Sequence, residues 1–163
     1  MDRTTTQFFP LGEVTLYFDF SKSVLMCKSS SGDDQKLWAK KIPDVVLIDN
    51  IIEDDEKYYV ACEYSEKDGM FLALAKDDGT TQWYIPGRSH LQVLYEGFLY
   101  LIFIDERERY YFIKVEIQEG RKIWHHEVEI DLSEYRFSKT GIELQYKSGR
   151  TEVLSFKTGD VLY

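Results

Sequence analysis

Short runs of alternating apolar and polar residues, separated by turn residues, occupy nearly the whole chain. Residues 71–83, FLALAKDDGTTQW, show the pattern as an apolar run, an Asp-Asp-Gly turn and a closing tryptophan. Alternation with a period of two is typical of a strand with one buried face, and the polar turn with its glycine favours a hairpin. The segment therefore predicts two antiparallel strands, and no part of the chain predicts a helix.

The same pattern recurs about every 40 residues, which is the length of a four-stranded repeat. Each occurrence ends in an aromatic residue: Trp38, Trp83, Trp124 and Tyr163. A turn glycine precedes each aromatic residue: Gly32, Gly79, Gly120 and Gly159. All three tryptophans of the chain thus lie at one phase of the repeat.

Two further apolar stretches precede each hairpin, so each repeat is predicted to be a four-stranded antiparallel meander. In the second repeat these stretches are residues 46–52 and 57–63, and in the third they are residues 91–95 and 98–104. The repeats run over about residues 1–41, 42–86, 87–127 and 128–163 of a single all-β domain. This arrangement predicts a small or partial β-propeller, with a barrel or a sandwich of the same strands as the alternative.

Two segments carry a resemblance to a known family. VLSFKTGDVLY (residues 153–163) and IKVEIQEGRKIW (residues 113–124) resemble the repeats of the quinoprotein, or PQQ-dependent dehydrogenase-like, β-propellers. The resemblance implies a propeller repeat and little about function, because members include dehydrogenases, outer-membrane assembly scaffolds and binding proteins. The dehydrogenases hold their quinone against a pair of adjacent cysteines. Here Cys27 and Cys62 are far apart in sequence, so the cofactor site is not carried over and no cofactor is expected.

Residue patterns for catalysis are missing from the sequence. There is no G-x-S-x-G motif, no Cys/His metal-ligand spacing and no phosphate-binding glycine loop. His125 and His126 are adjacent, and neighbours on a strand point to opposite faces, so the two are not expected to chelate one metal ion. The sequence therefore predicts a protein that is not an enzyme, with no metal site.

The distribution of charge distinguishes the second repeat from the others. The net charge is −9, and residues 42–86 account for most of it, with three basic and eleven acidic side chains. This excess disfavours binding to a nucleic-acid backbone. No apolar run is long enough to cross a membrane, and the start of the sequence lacks the pattern of a secretory signal. We therefore expect a cytoplasmic location, with neither nucleic acid nor membrane as a partner.

The acidic side chains of this repeat are the candidate binding residues. They are Glu53, Asp54, Asp55, Glu56, Glu63, Glu66, Asp68, Asp77 and Asp78. The run of four acids from residue 53 lacks the alternating order of a calcium loop, and a solvated turn is its simplest interpretation. The functional interpretation is an acidic surface that attracts a basic partner.

The leading functional hypothesis is a non-enzymatic protein-binding module with an acidic surface. A specific version is a cytoplasmic inhibitor, or immunity protein, that masks a basic partner such as a nuclease toxin. One alternative is a propeller that binds a small molecule or carbohydrate, or hydrolyses it, in a central channel. Another alternative is an assembly scaffold.

Overall fold

The computed structural model describes residues 6–31 and 35–163, and within these residues the chain forms strands and no helix. The strands are β1 (Thr6–Leu11), β2 (Val14–Asp19), β3 (Val24–Ser29), β4 (Lys36–Lys41), β5 (Leu47–Glu53), β6 (Lys57–Glu63), β7 (Gly69–Ala75), β8 (Thr81–Pro86), β9 (Arg88–Tyr95), β10 (Phe98–Ile104), β11 (Tyr110–Glu116), β12 (Lys122–Val128), β13 (Leu132–Phe137), β14 (Ile142–Tyr146) and β15 (Thr151–Leu154). A search of the described residues finds no helix long and apolar enough to span a membrane.

The strands form four antiparallel sheets, one for each predicted repeat. Sheet 1 contains β1–β4, sheet 2 contains β5–β8, sheet 3 contains β9–β12 and sheet 4 contains β13–β15. Neighbours in each sheet are consecutive in sequence, so each sheet is a meander. Every sheet of the described residues is open at both edges, so none of them closes into a barrel. The prediction of an all-β fold built from antiparallel repeats is confirmed.

The predicted strand positions agree closely with the structure in the second and third repeats. The predicted strands at 57–63 and 98–104 match β6 and β10, and the strand predicted at 46–52 is shifted by one residue in β5. These strands were predictable because alternating apolar residues and turn glycines mark their ends. The turn glycine Gly32 of the first repeat lies outside the described residues.

The fourth repeat differs from the prediction, because sheet 4 has three strands. After the turn, the chain meets β15 through one isolated bridge, Leu154–Val161. Two backbone hydrogen bonds support it, from the Val153 N–H to the Tyr163 oxygen and from the Leu162 N–H to the Val153 oxygen. Because β15 has only four residues, it offers few backbone groups with which a fourth strand could pair. The Tyr163 side chain remains 73% exposed.

The chain divides into two compact units, Met1–Arg88 and Ser89–Tyr163. Unit 1 contains sheets 1 and 2, which pack face to face around one apolar core. Leu16 and Phe18 from β2 contribute to this core from one side, and Val60 from β6 and Leu74 from β7 contribute from the other. The sequence-based assignment of a single domain stays a prediction.

Unit 2 has a core of its own, richer in aromatic residues. Tyr100 and Phe112 from sheet 3 pack against Ile142, Leu144 and Leu154 from sheet 4. The Phe112 ring stacks on Trp124 with ring centroids 6.4 Å apart. As in unit 1, one face of each sheet is buried by the other sheet of the same unit.

The closing tryptophans show how the two sheets of a unit are joined. In unit 1 the Trp38 indole N–H donates a hydrogen bond to the carbonyl oxygen of Lys76, at 2.9 Å, in the β7–β8 turn. The Trp38 ring lies directly over Gly79, where an added Cβ would be 2.5 Å from a ring carbon. Trp38 therefore anchors sheet 1 to the β7–β8 turn of sheet 2.

Unit 2 repeats the same contact with different residues. The Trp124 indole N–H donates to the Phe156 carbonyl oxygen at 2.8 Å, and the ring lies over Gly159. The Lys114 ammonium donates to the same carbonyl oxygen at 2.7 Å. The glycine that shapes the turn thus also leaves space for the indole of the preceding sheet.

We expect Gly79→Ala to destabilise the protein more than Gly12→Ala. Both glycines have positive φ, +77° at Gly79 and +69° at Gly12, but nothing lies within 4 Å of a Cβ at Gly12. The Gly12 variant should lose about 1 kcal/mol from backbone strain alone. The Gly79 variant should lose about 2–4 kcal/mol because its methyl group also overlaps the Trp38 ring. Urea unfolding measures both, and equal losses would contradict the docking role of Gly79.

Candidate functional site

Sheet 2 carries all nine predicted acidic residues, but it separates them into two groups. The β5–β6 and β7–β8 turns lie at the same end of the meander, and a backbone hydrogen bond of 3.0 Å from the Lys76 N–H to the Glu56 oxygen joins them. The β6–β7 turn lies at the other end. Because β6 is seven residues long, the two ends are about 20 Å apart.

We call the first group the acidic end; it consists of Glu53, Asp54, Asp55, Glu56, Asp77 and Asp78. The second group, the far end, consists of Glu63, Glu66 and Asp68. The structure therefore brings six of the nine predicted residues together and places three elsewhere. A single compact partner site would use one end, and the acidic end has more carboxylates.

Asp54 is committed to its own turn. Its carboxylate accepts hydrogen bonds from the Glu56 N–H at 2.8 Å, the Lys57 N–H at 2.7 Å and the Tyr59 hydroxyl at 2.5 Å. Burial alone would raise the pKa of this carboxyl group, but the hydrogen bonds from Tyr59 and the two amides, with the charge of Lys57, outweigh it and lower the pKa. Asp54 thus holds the β5–β6 turn in one conformation.

Two more carboxylates of the acidic end have partners within unit 1. The Glu53 carboxylate lies 3.1 Å from the Lys76 ammonium, which is also 5.2 Å from the centre of the Tyr58 ring. Asp78 accepts hydrogen bonds from the Thr80 hydroxyl and from its N–H. The Thr80 hydroxyl is the main cause of the lowered pKa of Asp78. Through these contacts Glu53 and Asp78 stabilise the β5–β6 and β7–β8 turns, as Asp54 does.

The other three acidic-end carboxylates are exposed. Asp55, Glu56 and Asp77 are accessible to solvent, and their carboxylates have no ion pair or hydrogen bond with any residue in the described part of the chain. They lie within the two turns that Asp54 and Asp78 stabilise. The result is a group of unpaired negative charges on a well-ordered support.

The far end offers less to a partner. Glu63 forms an ion pair with Arg88 at 3.3 Å, and both side chains are largely shielded, with 14% and 18% exposure. Glu66 and Asp68 are exposed in a turn whose backbone N–H groups at Lys67 and Asp68 donate to the Ser65 hydroxyl. Sequence reasoning could not separate Glu63 from the others, because its partner lies 25 residues away.

A surface of different chemistry lies on sheet 1, and the sequence analysis did not identify it. Phe8, 65% exposed, and Tyr17 lie on the face opposite the buried Leu16 and Phe18. A groove of about 490 Å³ runs along this face. The sequences of β1 and β2 could have indicated this surface, because each strand has aromatic residues on both of its faces and only one face can be buried in the core.

The cysteines and the adjacent histidines, which are potential nucleophiles and bases, are either buried or in contact with neighbouring side chains. Cys27 and Cys62 are both buried and free, and burial raises the pKa of the Cys62 thiol to about 12. His125 packs its ring edge-on against Tyr111, whereas His126 lies 3.2 Å from a Glu152 oxygen. The two histidines thus have different partners.

Comparison with known proteins defines the fold class. No family profile and no curated protein sequence matches this chain. Among solved structures, BamB from Moraxella catarrhalis is similar with a TM-score of 0.64 and 14% identity over 96% of this chain and 46% of that one. Hsv2 from Kluyveromyces marxianus has a TM-score of 0.62 and 11% identity, over 96% of this chain and 50% of its own.

A putative 6-phosphogluconolactonase from Bacteroides uniformis is also similar, with a TM-score of 0.56 and 17% identity over 96% of this chain and 51% of that one. These structures are β-propellers, and similarity at this level of identity shows the fold alone. The chain has the fold of β-propeller repeats and spans about half the length of the structures that it matches.

We expect Asp54→Asn to destabilise the protein by about 1–3 kcal/mol at neutral pH, because a charged acceptor of three hydrogen bonds is lost. The folded-state pKa of Asp54 is below its ordinary value of 3.8, so its contribution is fully present above that value. It is lost as the pH falls through the lower, folded-state pKa.

Urea unfolding from neutral pH to about pH 2 measures this difference. The exposed neighbour Asp55 is the matched control, and Asp55→Asn should change stability by no more than about 0.5 kcal/mol. A difference between wild type and Asp54→Asn that stays constant with pH would contradict the assigned role.

We also expect both thiols to be unreactive in the folded protein. Thiol reactivity requires the thiolate and access to it, and burial opposes both at Cys27 and Cys62. Ellman's reagent should detect no thiol in native protein at pH 8 and both thiols after denaturation. Rapid reaction of a native thiol would show that its sheet opens locally.

Proposed function

We propose that this chain is a non-enzymatic protein-binding module that uses the acidic end of sheet 2 to contact a basic protein. The observation that carries the proposal is the set of three exposed, unpaired carboxylates at Asp55, Glu56 and Asp77. Neighbouring like charges repel one another, which costs free energy in the unbound protein. Lys or Arg side chains of a partner would relieve this repulsion on binding.

The support for these carboxylates favours recognition by a surface that is already formed. Asp54 and Asp78 bind backbone N–H groups of the turns that hold the three residues. A partner therefore does not have to order a flexible loop, and this lowers the entropic cost of association. The surrounding negative charge also speeds encounter with a positively charged protein, with a strong dependence on salt.

The proposal also specifies the class of partner, a basic nuclease toxin. A net charge of −9 in a chain of 163 residues, concentrated in one repeat, suits the masking of a strongly basic surface. A nuclease has such a surface because it binds a polyanion. We therefore place the chain among inhibitors of the immunity-protein type, acting in the cytoplasm on a basic toxin. The absence of catalytic motifs from the sequence supports a binding role.

The experiment compares two variants that remove equal charge from opposite ends of sheet 2. The acidic-end variant is Asp55→Asn/Glu56→Gln/Asp77→Asn. The far-end control is Asp44→Asn/Glu66→Gln/Asp68→Asn, in which Asp44 belongs to the link before β5 that adjoins the far end through a hydrogen bond from the Val46 N–H to the Glu63 oxygen. All six residues are exposed, so stability should change little in either variant. Both variants have the same net charge, which separates a local site from a general electrostatic effect.

Wild-type protein is first used as bait in lysate of the source organism to obtain a basic candidate partner, which is then purified. Calorimetry should show a dissociation constant that rises with salt. The acidic-end variant should weaken binding by about 10- to 100-fold, which corresponds to about 1.4–2.8 kcal/mol. The far-end control should change it by less than about threefold. Binding that is insensitive to salt, or equally weakened in both variants, would overturn the proposal.

A further inference from the structure

A pocket on sheet 3 has features that the proposed function does not use. Its volume is about 190 Å³, and every residue that lines it belongs to unit 2. Strand pairing places Phe103 beside Tyr111, and Ile113 beside His125, so these four side chains share one face of the sheet. Because neighbours on a strand alternate, Phe112 lies on the other face, in the core of unit 2.

A register shift between β11 and β12 adds a basic side chain to the pocket. Lys114 pairs with Trp124, but the next residue of β11, Val115, pairs with Lys122 and not with Ile123. The shift therefore turns Lys122 toward the face that carries the pocket, and Lys122 is part of its lining. Without the shift, the apolar side chain of Ile123 would take this place.

The charge of Lys122 is not compensated within the protein. Its side chain is exposed and has no ion pair or hydrogen bond with any residue in the described part of the chain. The nearest carboxylates in sequence have other partners. Glu116 accepts hydrogen bonds from three backbone N–H groups of the β11–β12 turn, and Glu119 forms an ion pair with Arg121 at 2.7 Å.

The carboxylate in the lining, Asp105, is already paired. It accepts hydrogen bonds from the N–H groups of Arg107 and Arg109, both at 2.9 Å, and from the Arg109 guanidinium at 3.0 Å. Glu127 lies on the same face of β12 as the pocket, but it is five residues from Lys122 along the strand, or about 16 Å. The pocket therefore has a positive end at Lys122.

Two aromatic rings form a wall of the pocket. The ring centroids of Tyr111 and His125 are 5.7 Å apart, and the ring planes are inclined by 80°. Ile113, 2% exposed, lies between the two strands' exposed side chains and provides an apolar base. Aromatic rings prefer offset-stacked or edge-on neighbours, so a third ring can extend an edge-on pair.

The volume restricts the size of a ligand. A cavity of about 150 Å³ can hold benzene, whereas pockets for drug-sized molecules are larger than about 300 Å³. A pocket of about 190 Å³ therefore suits a single six-membered ring with a short side group.

From these features we propose that the pocket on sheet 3 binds a small aromatic carboxylic acid. The ring would pack on Ile113 and against the Tyr111–His125 pair, and the carboxylate would pair with Lys122. Exposed charges are screened over about 8 Å at physiological ionic strength, so a ligand with one charge responds to the lining of the pocket and not to the net charge of the chain. The proposal is independent of the acidic end of sheet 2.

The test titrates the whole protein at neutral pH with four probes and follows binding by NMR. Phenylacetate has both proposed features, phenylacetamide lacks the charge, cyclohexylacetate lacks the aromatic ring, and acetate has the carboxylate alone. Phenylacetate should bind with a Kd of about 1 mM or lower, and its chemical-shift changes should concentrate in β11 and β12. Phenylacetamide should bind about fivefold more weakly, as expected for the loss of one exposed ion pair. Cyclohexylacetate should bind about threefold more weakly.

Two variants separate the charge from the ring contact, and each has a matched control. Lys122→Met should remove the preference for phenylacetate over phenylacetamide, whereas Lys139→Met, at another exposed lysine of unit 2, should keep it. His125→Ala should weaken phenylacetate binding by about three- to tenfold. His90→Ala should leave binding unchanged, since His90 is also exposed and its ring also contacts one tyrosine. Thermal unfolding of each variant confirms that it is folded.

Four outcomes would overturn the proposal. No chemical-shift change up to about 10 mM phenylacetate would exclude a site of useful affinity. Acetate that binds as tightly as phenylacetate would leave only an anion site. Phenylacetamide or cyclohexylacetate that binds as tightly as phenylacetate would exclude a role for the charge or for the aromatic ring. Equal binding by wild type, Lys122→Met and His125→Ala would show that the ligand binds at another surface.

Discussion

The contact between a buried indole and the hairpin turn of the following sheet is the constraint on which each unit depends. Burying the Trp38 ring stabilises the sheet pair, but its N–H must keep a hydrogen-bond acceptor. The Lys76 carbonyl oxygen supplies one, at 2.9 Å, in a turn whose Gly79 leaves space for the ring. Because one contact combines apolar burial, a directed hydrogen bond and a steric requirement, it fixes both the distance and the orientation of the two sheets. Trp124, Phe156 and Gly159 repeat it in unit 2.

The same constraint places the candidate protein-binding site. The turn that receives Trp38 also carries Asp77 and Asp78, and it is joined to the β5–β6 turn by a backbone hydrogen bond. The repeat therefore supplies a rigid support, and residues that differ between repeats supply the charge. Carboxylates that accept backbone hydrogen bonds stabilise the support, whereas unpaired ones add repulsion that a partner can relieve. Acidic residues that are adjacent in sequence therefore have different roles in the fold, because some are paired within the protein and others are exposed and unpaired.

Unit 1 thus has two surfaces of different chemistry on neighbouring sheets. One is an end of sheet 2 that is acidic and formed by turns, and the other is the outward face of sheet 1, which is aromatic and hydroxyl-rich. Turn residues can change without disturbing strand pairing, and so can the outward phase of a strand whose inward phase forms the core. Both surfaces therefore use positions that the fold leaves unconstrained.

The sequence alone determined the all-β class, the four repeats and most strand positions, because apolar alternation and turn glycines are local signals. It also located the excess negative charge in residues 42–86. Only the tertiary structure separated Glu63 from the acidic end, since its position depends on which end of the meander a turn occupies. Likewise, only the structure showed that Asp54 is paired and Asp55 is not, because the direction of a side chain depends on the turn geometry around it. The fourth strand of the last repeat was predicted wrongly for a related reason: the local pattern was present, but pairing requires a partner strand long enough to receive it, and β15 has four residues.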